Sequence, residues 1–75
     1  MIKPEKQFYL FGMGHREKSF YMNGKLTAVA DNSTLFQWDV EKEEFFYDEY
    51  RVLLTLKDGA SVEIYENSEG VFVND

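Results

Sequence analysis

The stretch Glu17-Lys18-Ser19-Phe20-Tyr21-Met22-Asn23-Gly24-Lys25-Leu26-Thr27-Ala28-Val29-Ala30 decides the fold class. Asn23-Gly24 is the strongest short-range hairpin signal, because both central residues of a type I′ turn need positive φ and this pair tolerates it with little strain. The turn pairs a strand over Glu17 to Met22 with another over Lys25 to Ala30. Along the first strand, Ser19 and Tyr21 share one face while Phe20 and Met22 share the other.

Upstream of the hairpin, Lys6 to Met13 is aromatic and lacks a helical stripe, which predicts a first strand, with Pro4 just outside it where proline does no harm. Downstream, the turn formers Asp31-Asn32-Ser33-Thr34 end the third strand, and Leu35 to Val40 alternates with Phe36, Trp38 and Val40 on one side. A helix capped by Ser33 or Thr34 fails the period test, since extending Phe36 and Val40 lands on Glu43 and Glu44. The run Glu41-Lys42-Glu43-Glu44 therefore reads as a loop. Phe45 to Lys57 then predicts one long strand, bent near Asp48, with Phe46, Tyr50, Val52, Leu54 and Leu56 on one face.

Val52-Leu53-Leu54 is apolar on both faces, which marks a central strand or one covered on its second face by another layer or subunit. Lys57-Asp58-Gly59 makes a turn, Ser61 to Glu66 alternates with Val62 and Ile64 inward, and Asn67-Ser68-Glu69-Gly70 leads to Val71-Phe72-Val73. The reading is one all-β, mainly antiparallel domain over residues 1–75. It is a small meander of six or seven strands, forming a barrel or a two-layer sandwich.

Seventy-five residues leave no room for two lobes with a cleft between them. A chain this short buries only about 60% of its unfolded surface, so it leans on supports such as self-association. The absence of Cys removes disulfides and thiolate metal sites, and the lone His15 builds no multi-histidine site, so no metal or cofactor is expected. No stretch reads as a signal peptide or a membrane span, which predicts a cytoplasmic chain. The net charge of −6 is unevenly spread: residues 1–30 balance to +3 and residues 31–75, with twelve acids against Lys42, Arg51 and Lys57, to −9. Such a surface repels phosphate and anionic lipid and excludes nucleic acid and membrane as partners.

Two clusters are candidate binding sites. Gly12, Gly14, His15 and Arg16, with Lys18 nearby, join backbone freedom to positive charge and form a candidate anion-binding loop. They lack the third glycine, the helix and the acid of a dinucleotide fingerprint. The second cluster is aromatic. Phe8 to Phe11 and Phe45 to Tyr47 put rings on both faces of their strands, and a two-sided aromatic strand exposes an apolar patch, so Tyr9, Phe11, Phe45 and Tyr47 are candidate interface residues. The acids from Asp39 to Glu49 lack calcium-loop spacing and a cleft for glycoside hydrolysis, and no Ser, His and acid set forms a convincing nucleophile, so the chain is expected not to be an enzyme. The expected function is a protein-interaction or structural module that self-associates as a homo-oligomer. The alternatives are an anionic-ligand module built on the Gly12 to Arg16 loop and an acidic inhibitor of a basic protein.

Overall fold

A computed structural model describes residues 6–8, 10–11, 18–31 and 34–74. These form eight strands: β1 (Lys6–Phe8), β2 (Lys18–Met22), β3 (Lys25–Asp31), β4 (Thr34–Gln37), β5 (Val40–Phe46), β6 (Arg51–Leu56), β7 (Ser61–Asn67) and β8 (Gly70–Asn74). Seven have four or more residues and β1 has three. All ladders are antiparallel, and the strands make two four-stranded sheets ordered β1-β2-β3-β4 and β5-β6-β7-β8. The barrel alternative is thereby corrected. Among the described residues no ladder joins β4 to β5 or β8 to β1, so each sheet keeps two edges there.

The Asn23-Gly24 turn forms as the residues require, with φ of 52° and 76°, and it closes on the pair Met22 and Lys25. Two residues further along, Thr27 is the extra residue of a bulge, because Tyr21 pairs with Leu26 while Phe20 pairs with Ala28. Its hydroxyl donates to the Phe20 carbonyl at 3.2 Å. Its carbonyl accepts the N–H of Trp38 at 2.9 Å. The bulge thus anchors the two-residue crossover Trp38-Asp39, which carries the chain from the first sheet to the second.

The second sheet holds two departures from the sequence reading. Glu41 to Glu44, expected as a loop, lies inside β5, an edge strand that presents Glu41, Lys42 and Glu44 to solvent. Charge on an edge strand mimics the composition of a loop while preventing the edge from pairing with other chains. Phe45 to Lys57, expected as one bent strand, is a hairpin: β5 ends at Phe46, a 3₁₀ turn covers Tyr47–Glu49, and β6 begins at Arg51. Phe46 pairs with Arg51 and Phe45 with Val52, so Phe46 lies on the face opposite Val52 and Leu54. Tyr50 closes the corner at φ 50°, its N–H donating to Tyr47 O at 3.2 Å and its carbonyl accepting from the N–H of Glu66 at 2.9 Å.

The inner faces of both sheets share one core. Leu10, Tyr21, Leu26 and Val29 from the first half meet Val40, Val52, Leu54, Val62, Ile64 and Val71 from the second. Burying such side chains stabilises by about 1.5 to 3 kcal/mol each, before the entropy of ordering them is subtracted. Among the described residues, the hydroxyl of Ser19, a residue 1% exposed and opposite Val29, sits in this region without a hydrogen bond. An unpaired buried hydroxyl costs free energy that a methyl group does not. Ser19→Ala should therefore leave stability unchanged or raise it by up to about 1 kcal/mol, read by urea denaturation. A loss of more than about 1 kcal/mol would show that the hydroxyl is satisfied.

Candidate interaction surface

The corner between β5 and β6 collects the aromatic rings. Phe45 leans on the core from the inner face of β5, and Tyr47 stacks on it with centroids 5.4 Å apart and planes 14° from parallel. Phe11 arrives from the other half of the chain and meets three rings edge-on: Tyr50 at 5.9 Å, Tyr47 at 6.2 Å and Phe45 at 6.3 Å. Edge-to-face pairs in this range contribute about 0.5 to 1.5 kcal/mol beyond their buried area. The corner is nonetheless open to solvent: Tyr47 is 68% exposed and Tyr50 44%, with Asp48 and Glu49 exposed between them.

Two carboxylates hold this arrangement. Glu66 follows Val62 and Ile64 on the inner face of β7, is only 3% exposed, and its Oε1 accepts the main-chain N–H of Phe11 at 3.0 Å. Glu43, opposite Leu54 on the inner face of β5, accepts the main-chain N–H of Leu26 on Oε2 at 2.8 Å. Main-chain donors held by carboxylates are among the stronger hydrogen bonds of a protein, because the acceptor is charged. Beside Glu43, the Tyr21 phenol is pushed up to about 12, first by its burial and then by the negative charge of Glu43 and the neighbouring Tyr47.

The outer face of the second sheet carries a further row. Phe46, Arg51, Tyr65 and Phe72 are successive cross-strand partners from β5 to β8. The Arg51 guanidinium lies 4.1 Å above the Phe46 ring centroid and bonds Glu63 at 3.2 Å and Glu49 at 3.3 Å. Tyr65 and Phe72 stack with centroids 5.2 Å apart. Leu53 shares this outer face between Glu44 and Glu63, which explains why β6 reads as apolar on both sides.

Of the residues singled out from sequence, Phe11, Phe45 and Tyr47 come together in one cluster. Tyr9, Gly12, Gly14, His15 and Arg16 lie outside the described residues, and Lys18 is fixed only by its backbone pairing with Ala30. The sequence reading missed Tyr50, which it assigned to a strand face, and Glu43 and Glu66. For Glu66 the signal was present, since position 66 continues the inward period of 62 and 64. Among the described residues no group of three His, Cys, Asp or Glu side chains is placed to hold a metal ion, and no helix is long and apolar enough to cross a membrane.

Comparison with protein-family models, with curated proteins and with solved structures finds no match for this chain.

The phenol of Tyr21 sets a pH dependence. Its folded value stands above the ordinary value of 10.0, so between pH 10 and 12 the unfolded chain binds fewer protons at this site than the folded one. The stability it contributes is complete below pH 10 and lost as pH rises toward 12. Wild-type protein should lose more stability than Tyr21→Phe across that interval in chemical denaturation, by about 1 kcal/mol once solvent screening is allowed for. Parallel losses in the two proteins would remove Tyr21 as the responsible group.

Proposed function

We propose that the chain is a non-catalytic protein-interaction module that self-associates through the aromatic corner formed by Phe11, Phe45, Tyr47 and Tyr50. The observation that carries this reading is the exposure of Tyr47 and Tyr50 on rings that are themselves anchored. Pre-ordered aromatic side chains lose little entropy on contact and bury a large area, which is why Tyr is enriched at interfaces and among their energetic centres. Phe11 and Phe45 supply the rigid floor, and the two tyrosines supply the contact.

Asp48 and Glu49 favour a second reading in which the same corner receives a basic protein. Salt separates the two. In a contact between two copies the rings attract while the carboxylates repel, so raising salt strengthens association; a contact with a basic partner weakens steeply.

The test is the solution mass by light scattering, at low and high salt, for wild-type protein and Tyr47→Ala. The substitution removes the ring contacts of Tyr47 with Phe11 and Phe45 and should cost about 1 to 3 kcal/mol of stability, and in protein that circular dichroism shows to be folded it should lower the mass at a given concentration. A mass unchanged by Tyr47→Ala would overturn the corner as the self-contact.

A further inference from the structure

The ring geometry of the corner leaves one face of Tyr47 open. Phe11 stands 6.3 Å from Phe45 and 6.2 Å from Tyr47, at 75° and 88° to them, while those two rings stack on each other. Nearly equal distances place Phe11 beside the stack rather than on top of it. Phe45 therefore covers one face of Tyr47, and among the described residues no ring covers the other, in keeping with an exposure of 68%. Tyr47 lines a shallow hollow of about 410 Å³ together with Phe45, Phe46, Asp48 and Glu49.

Charge is the first feature that selects an occupant for this hollow. Asp48, Glu49 and Glu63 set three carboxylates around the one guanidinium of Arg51, which leaves two negative charges. Among the described residues Asp48 has no ion pair. The second feature is a pattern the chain already uses. The Arg51 guanidinium lies 4.1 Å above the Phe46 ring centroid while its N–H groups donate to Glu49 at 3.3 Å and to Glu63 at 3.2 Å. A ring face beneath and carboxylates at the edge bind a guanidinium in both ways open to it. Tyr47 and Asp48 repeat that pair of groups on the adjoining residues.

We infer that the corner takes an arginine side chain from a basic partner segment, its guanidinium lying on the open face of Tyr47 and donating to Asp48. This deepens the reading of the corner as the contact for a basic protein and rests on it. A lysine fits less well. Its ammonium is compact and strongly hydrated and has no flat face to lay on a ring, whereas a guanidinium is weakly hydrated and keeps its donors at its edge. The −9 balance of residues 31–75 draws such a segment to this half of the chain.

The probe is a pentapeptide of alternating glycine and arginine, blocked at both ends. It is titrated into isotope-labelled protein, followed by NMR, at a concentration where light scattering gives single chains. Counterparts carry lysine, or citrulline, the neutral isostere of arginine. The expected result is saturable shifts centred on the amides of residues 46–50, with the lysine peptide about threefold and the citrulline peptide about tenfold weaker. Asp48→Asn should weaken the arginine peptide about threefold and Tyr47→Leu about fivefold, while Tyr47→Phe, which keeps the ring face, stays within about twofold of wild type. Tyr47→Leu is read only in protein that circular dichroism shows to be folded; Asp48→Asn, at an exposed position, carries the test if it is not.

A lysine peptide that binds as tightly as the arginine peptide would overturn the guanidinium site and leave the basic-partner reading in place. Loss of binding in Tyr47→Phe, or full binding in Asp48→Asn, would overturn it in the same way. Shifts absent with all three peptides, or centred away from residues 46–50, would sink both.

Discussion

The fold depends on two carboxylates that point inward. Glu43 and Glu66 occupy inner-face positions of the second sheet, where alternation calls for apolar side chains, and each accepts a main-chain N–H from the first half of the chain. Two antiparallel sheets packed face to face are held mainly by non-directional burial, which fixes their distance better than their relative position. A hydrogen bond from Leu26 N–H and another from Phe11 N–H supply the missing direction. The bulge at Thr27 belongs to the same seam: it breaks the regular β2–β3 ladder so that the Thr27 carbonyl is available to Trp38 at 2.9 Å. On the far side of the crossover, Lys57 N–H donates to Asp39 O at 3.0 Å.

Glu66 also determines where the aromatic rings go. By holding the Phe11 backbone, it sets the Phe11 ring edge-on to Phe45, Tyr47 and Tyr50, and the left-handed Tyr50 turns the corner that brings those three together. A tyrosine at φ 50° is strained, because its Cβ crowds the following carbonyl. The two hydrogen bonds at Tyr50, to Tyr47 and from Glu66, offset that strain. The corner is thus over-determined by main-chain bonds, and its exposed rings are presented on rigid supports.

How much of this was legible follows from what period and turn chemistry encode. The hairpins at Asn23-Gly24, Lys57-Asp58-Gly59 and Asn67 to Gly70 were read correctly because each turn needs residues that few other sites select. One error was Leu35 to Val40, read as a single strand where β4 ends at Gln37 and Val40 begins β5 of the other sheet, and two more fell between Glu41 and Tyr50. Charges on an edge strand and charges in a loop look alike, and the four residues Tyr47 to Tyr50 continue the alternation of Phe46 and Val52 although the chain reverses between them. The aromatic cluster was half-legible: Phe11, Phe45 and Tyr47 stand in runs too apolar for one buried face, whereas Tyr50 enters through a backbone angle that no residue type announces. Glu43 and Glu66 were hidden for a different reason. An acid at an inward position is visible in the pattern, but the N–H that makes the position tolerable lies on a segment far away in sequence, and alternation says nothing of it.

The distribution of charge over the edges makes the last step. A small two-sheet protein that does not close into a barrel must leave strand edges exposed, and each exposed edge invites pairing. Here the acids are concentrated where pairing would compete with the seam: β5, which receives the first sheet through Glu41 and Glu43, is lined with charge. β8, at the opposite side of the same sheet, has none. Repulsion between copies of a −6 chain opposes close approach over most of the surface and is weakest along an uncharged edge such as β8.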